Sequence, residues 1–282
     1  MLSSFVMRAY TRVGGGPTRG HLSLLLLALM LLSGTAGCFR GQKRYVEPER
    51  LDKGLIVILP GIEGESKLNH DIADGLKDAG VASAIDIHDW TGTRLLTFFN
   101  TVRYERNMRQ ASLIAHRIGE YQRQHPGRPV HLVGHSGGGG MAVMVLEQLN
   151  SKKPITAAIL LAPALSPYHN LAEALRRTER GIYNFWSPGD FGWLGLGTST
   201  FGSMDREFGP AAGMVGFKIP ENLTRGEADL YETRLHQIRW RPEMLKDFHI
   251  LQHTGWASRK FVRDWIGKII LSHESGHEPQ LN

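Results

Sequence analysis

An α/β architecture, a mostly parallel central sheet flanked by helices with a small lid insertion, is predicted by three features of this 282-residue chain. Short, largely apolar runs recur from residue 54 to residue 240. They lack the polar alternation of a sheet that faces water on one side, so the strands are buried on both faces and therefore parallel. Between them lie stretches with apolar residues three and four apart, the spacing of helices laid on a sheet. Finally, at Val130–Leu146 an apolar run, a glycine-flanked serine and a second apolar stretch follow one another directly, which makes a strand–turn–helix junction.

The elements follow in order. Leu55–Leu59 is the first strand, stopped by Pro60-Gly61. Asn69–Ala79 is helical and ends at Gly80, the residue favoured just past a helix C-terminus. Val81–Ile87 is a strand, and Arg103–Arg123 a long helix with Met108, Ala111, Ile114, Ala115 and Ile118 on one face. Val130–Val133 is the next strand and Met141–Leu149 the helix after the junction. Ile155–Leu161 and Ile182–Trp186 are strands, with the helix Leu171–Arg177 between them and the lid insertion after Ala164. Residues 191–234, glycine-rich and carrying Trp193, Phe201, Met204, Phe208, Met214 and Phe217, read as a long excursion packed on the core. Leu235–Trp240 is the last strand. A C-terminal helix with Phe261, Val262, Trp265, Ile266, Ile269 and Ile270 on one face closes the domain.

At the N-terminus, Arg8, Arg12 and Arg19 precede the apolar run Leu22–Leu32, which is followed by Ser-Gly-Thr-Ala-Gly-Cys. That order is the charged, apolar and small-residue pattern of a secretory signal. The only cysteine, Cys38, follows Ala36-Gly37 and resembles the acylated cysteine of the bacterial lipoprotein lipobox, with Thr35 where that family prefers leucine. The expected organisation is a lipoprotein-type signal peptide over 1–37, a polar tether over 38–53, the α/β domain over 54–272 and a disordered tail over 273–282. Lipid on Cys38 would hold the protein at a membrane of the cell envelope; a secreted or periplasmic protein is the alternative. A single cysteine leaves no internal disulfide. The formal charge of +6 falls to +3 without the three signal arginines. With no basic stripe interleaved with aromatics, nucleic acid is not expected as a partner.

The junction carries the chemistry. Gly134-His135-Ser136-Gly137-Gly138 matches Gly-x-Ser-x-Gly in the strand–turn–helix context that exposes a nucleophilic serine. Gly134, Gly137 and Gly140 also spell a variant of the dinucleotide-binding turn. That motif belongs on the first strand of its domain and needs an acid at the end of the next, where this chain has Leu-Ala-Pro-Ala. His273-Glu274-Ser275-Gly276-His277 matches the zinc-protease pattern His-Glu-x-x-His, but Gly276 and Pro279 oppose the stable helix that pattern requires. No metal or cofactor is expected.

On these residues the chain, over roughly 54–272, resembles the α/β-hydrolases, in which nucleophile, acid and histidine occur in that order. The resemblance implies Ser136 as nucleophile, Asp190 as acid with Asp205 as second choice, and His253 as base with His249 in reserve. His135 would line the pocket. It also implies an oxyanion hole from the backbone N–H groups of Ile62 and Gly137, although Pro60 stands where the family's loop begins with histidine. A serine needs an imidazole to take its proton, and the imidazole needs a carboxylate to fix its tautomer. The expected activity is hydrolysis of a carboxylic ester, on a small-molecule or lipid ester. A serine peptidase or amidase on the same fold, or a non-catalytic ligand-binding lipoprotein, are the alternatives.

Overall fold

A computed structural model describes residues 45–92, 104–190, 204, 209–247, 252–277 and 279. Cys38, Asp205 and His249, together with Trp193, Phe201 and Phe208, lie outside the described residues. The elements are β1 (Leu55–Leu59), α1 (Lys67–Asp78), β2 (Ala84–Ile87), α2 (Tyr104–Gln124), β3 (Val130–His135), α3 (Gly137–Gln148), β4 (Ala157–Leu161), α4 (Ala172–Arg176), β5 (Ile182–Trp186), α5 (Arg225–Arg234) and β6 (Leu235–Arg239). The C-terminal helix α6 runs from Arg259–Phe261 through a π-helical turn, Val262–Ile266, into Gly267–Glu274.

The six strands form one sheet in the order β2-β1-β3-β4-β5-β6, and every ladder is parallel. The pleat divides each strand between two cores. Val57 and Leu59 of β1 join Ala111 and Ile114 of α2 and Met141 and Val145 of α3 on one face. Ile56 and Ile58 join Ile72 and Leu76 of α1 and Phe261, Ile266 and Ile270 of α6 on the other. Alternate residues thus bury themselves against opposite helix layers, which is why β1 and β4 read as unbroken apolar runs.

Four segments depart from the sequence expectation, one of them helix α5 within the stretch read as a long excursion. Helix α3 starts at Gly137, directly after the serine, and not at Met141. Four glycines have poor helix propensity, but packing demands them here. A Cβ on Gly138 would lie 2.0 Å from the Leu59 carbonyl oxygen, and one on Gly134 would lie 2.3 Å from that of Gly138. Residues 45–53, expected as part of a tether, instead pack on the domain. Tyr45 pairs with Ile85 in an antiparallel bridge, its hydroxyl donates to Asp74 at 2.7 Å, and Arg50 donates to the Val81 carbonyl at 2.8 Å. Lastly, α6 extends two residues into the segment expected as a tail: His273 is buried and Glu274 accepts a hydrogen bond from Ser83 at 2.8 Å.

Candidate active site

The site lies at the C-terminal ends of the strands, where open parallel sheets collect ligands. Ser136 ends β3 and caps α3 with φ 56° and ψ −120°, a conformation costly for a residue with a side chain. The strain is held by hydrogen bonds on both sides. Ser136 N–H donates to the Leu161 carbonyl at 2.9 Å, and its own carbonyl accepts from Gly139 and Ala164, both at 3.0 Å.

Asp190 sits in the turn after β5, where its N–H donates to the Ser187 carbonyl at 3.1 Å. His253 lies in the single helical turn Gln252–Gly255 ahead of α6. The two meet: His253 Nδ1 is 2.7 Å from Asp190 Oδ2, and both side chains are buried. A carboxylate only accepts, so Nδ1 carries the proton and Nε2 keeps its lone pair as a base.

His135, between Gly134 and Ser136, does more than line the pocket. Its Nε2 donates to the His253 carbonyl at 3.0 Å, and the two rings are 4.9 Å apart. Burial pushes its pKa down to about 3, with the nearby His253 adding to the effect, so it stays neutral. The residue beside the serine therefore fixes the backbone that presents the histidine.

The loop after β1 approaches the start of α3. Ile62 N lies 3.3 Å from the point a Gly137 Cβ would occupy, with the Trp90 ring 3.6 Å from that point. The backbone nitrogens of Ile62 and Gly137 are neighbours only because Gly137 has no side chain. Trp90 Nε1 donates to the Pro60 carbonyl at 2.8 Å and pins the loop. Asp89 joins it to the loop after β2, accepting from Glu65 N–H at 3.1 Å and from Thr91 N–H at 2.9 Å. The structure thus brings Asp190 to His253 and Ile62 to Gly137, with Ser136 directly before Gly137 in the chain. Sequence reasoning missed the bond from His135, the clamp from Trp90 and the carboxyl of Glu63. Only the indole had a visible signal, as a lone Trp directly after a strand end.

Glycine-flanked, strained serine and histidine–aspartate pair sit where the α/β-hydrolase architecture carries its reacting groups. The six-stranded parallel sheet with its helix layers has the α/β-hydrolase fold. The family model for serine aminopeptidase, S33, matches residues 51–189, from the lead-in to β1 up to the residue before Asp190. No curated protein matches the chain. Among solved structures, it is similar to a hydrolase of the alpha/beta superfamily from Xanthomonas campestris pv. campestris, at 19% identity over 74% of this chain and 96% of that one, TM-score 0.40. A cutinase-like protein from Cryptococcus sp. matches at 13% identity over 80% and 96%, TM-score 0.43. The poly(3-hydroxybutyrate) depolymerase from Bordetella parapertussis matches at 12% identity over 83% of both chains, TM-score 0.48. At these identities the likeness is one of fold.

Proposed function

We propose that the protein is a serine hydrolase that cleaves a carboxylic ester through an acyl-enzyme. The observation that carries this reading is the buried Asp190–His253 pair at 2.7 Å, tied through the His135–His253 backbone bond to the neighbour of a serine in a strained turn. Ser136 attacks the carbonyl while His253 Nε2 takes its proton, and Asp190 stabilises the imidazolium that forms. The backbone N–H groups of Ile62 and Gly137 receive the oxyanion, aided by the positive end of α3. His253 then protonates the departing alcohol, and water enters by the same route to release the acid.

A fluorophosphonate probe tests this directly. The wild-type protein is expected to be labelled, Ser136→Ala not at all, and His253→Ala much more weakly. A folded wild type that stays unlabelled would refute the reading. Peptide hydrolysis is the second reading, supported by the name of the matched family. Comparing an ester with the p-nitroanilide of the same acyl group separates the two.

For the N-terminus the proposal is lipidation of Cys38 and attachment to a membrane of the cell envelope, supported by the small residues Ala36-Gly37 before it. Metabolic labelling with an alkynyl fatty acid, lost in Cys38→Ser, is the expected result.

A further inference from the structure

Glu63 follows the oxyanion-loop residue Ile62, and its chemistry is not used by the mechanism above. Its carboxyl folds back on the loop: Oε2 lies 2.2 Å from the point a Cβ on Gly61 would occupy, so the bare glycine makes the seat. The other oxygen, Oε1, is buried and has no hydrogen-bond partner among the described residues. Burial pushes the carboxyl above the ordinary range; the backbone N–H of Glu63 and His253 oppose this, and Asp89 adds to it. The group therefore lies within electrostatic reach of the candidate base and next to a candidate oxyanion donor.

A buried acceptor left without a donor is costly, and sites pair such groups with a ligand. An alkyl chain against Oε1 would deepen the cost. A hydroxyl is the matching partner, because its O–H can donate to Oε1 and its oxygen can accept in turn.

We propose that Glu63 is the substrate-recognition group of the site and takes a hydroxyl that the substrate carries close to its scissile carbonyl, so that hydroxylated esters are the preferred class. The proposal rests on the ester-hydrolase reading. It places the hydroxyl near the carbonyl because Glu63 directly follows Ile62, the candidate oxyanion donor, and feels the charge of His253, the candidate base.

Four esters of similar size test it: ethyl propionate, ethyl lactate with its hydroxyl on the acyl side, 2-hydroxyethyl propionate with its hydroxyl on the leaving side, and alanine ethyl ester. Acid release is followed by titration for wild type, Glu63→Gln and Glu63→Leu. Wild type is expected to favour one hydroxyl ester over ethyl propionate by about tenfold or more in kcat/KM, because a site built around a hydroxyl rejects the analogue that lacks it. Glu63→Leu should bring that ratio to within about twofold of unity, and Glu63→Gln, which still donates and accepts, should keep most of it. Gly61→Ala reaches the same end by displacing the carboxyl, and it serves if the leucine variant does not fold. A ratio unchanged in Glu63→Leu and Gly61→Ala overturns the proposal. So does a preference for alanine ethyl ester that is lost in Glu63→Gln, since that partner is a cation. Fluorophosphonate labelling of the same preparations separates the two failures: labelled enzyme with no hydroxyl preference sinks only this proposal, whereas unlabelled wild type sinks the hydrolase reading.

Discussion

Ser136 holds a backbone conformation that costs on the order of 1–3 kcal/mol for a residue with a side chain. Glycine adopts it freely, so Ser136→Gly is expected to be more stable than Ser136→Ala by about 1 kcal/mol in urea unfolding, with both inactive. Equal midpoints would show that the turn carries no strain. Asp190→Asn preserves shape but loses the charge that stabilises the imidazolium and lets the histidine adopt the wrong tautomer. Its kcat should fall by about 10³–10⁴ with little change in KM, the scale seen when a triad acid is neutralised in a serine protease. Trp90→Phe removes the bond to the Pro60 carbonyl. If that clamp aims the Ile62 N–H, kcat should drop by about tenfold or more while the melting temperature moves little, which ester kinetics beside calorimetry would read.

Among the elements, the closest approach is that of α3 to the end of β1. An alanine methyl at 138 would lie 2.0 Å from a backbone oxygen, which has no flexible end to give way. Gly138→Ala should therefore cost at least the 1–3 kcal/mol typical of overpacking, visible as a lower denaturation midpoint or loss of soluble protein. A second tie crosses one face of the sheet. His273 of α6 places Nδ1 3.2 Å from His131 Nε2 of β3 and Nε2 3.0 Å from the Tyr183 hydroxyl of β5. His273→Ala removes both contacts and leaves a cavity, and about 2–4 kcal/mol of stability should go with them, measurable by urea titration. These elements also mark where sequence was legible. All six strands and the residues Asp190 and His253 that the fold pairs could be read, because buried parallel strands announce themselves as apolar runs and the turn at Ser136 needs its glycines. The start of α3 could not, since the same glycines hide a helix. Helix α5 was missed although Thr224 and Glu227 form a reciprocal capping box, a signal present in the sequence. The roles of His135 and Glu63 depend on what tertiary packing brings to them, and no spacing encodes that.

For the molecule as a whole, two buried imidazoles add to the response to acid, beside carboxylates such as Asp78 and Asp264 that hydrogen bonds from arginines hold below their ordinary range. His131 and His135 are each pushed down to about 3 by burial, helped by His273 and His253 respectively. The unfolded chain binds protons at these groups near pH 6.5 while the native state excludes them. Stability is therefore full above about pH 6.5 and falls as pH drops towards 3, by up to about 1.4 kcal/mol per pH unit for each histidine. His131→Gln should flatten part of that slope in melting temperature against pH; an unchanged slope would assign the acid sensitivity elsewhere. The order β2-β1-β3-β4-β5-β6 has one more consequence, for biosynthesis. The candidate nucleophile is made midway along the chain, but the histidine that would activate it comes only after β6, and α6 packs behind it. A nascent chain halted anywhere before that turn holds the candidate nucleophile without its candidate base, so under the proposed mechanism reactivity would arrive only with the last segment of the chain.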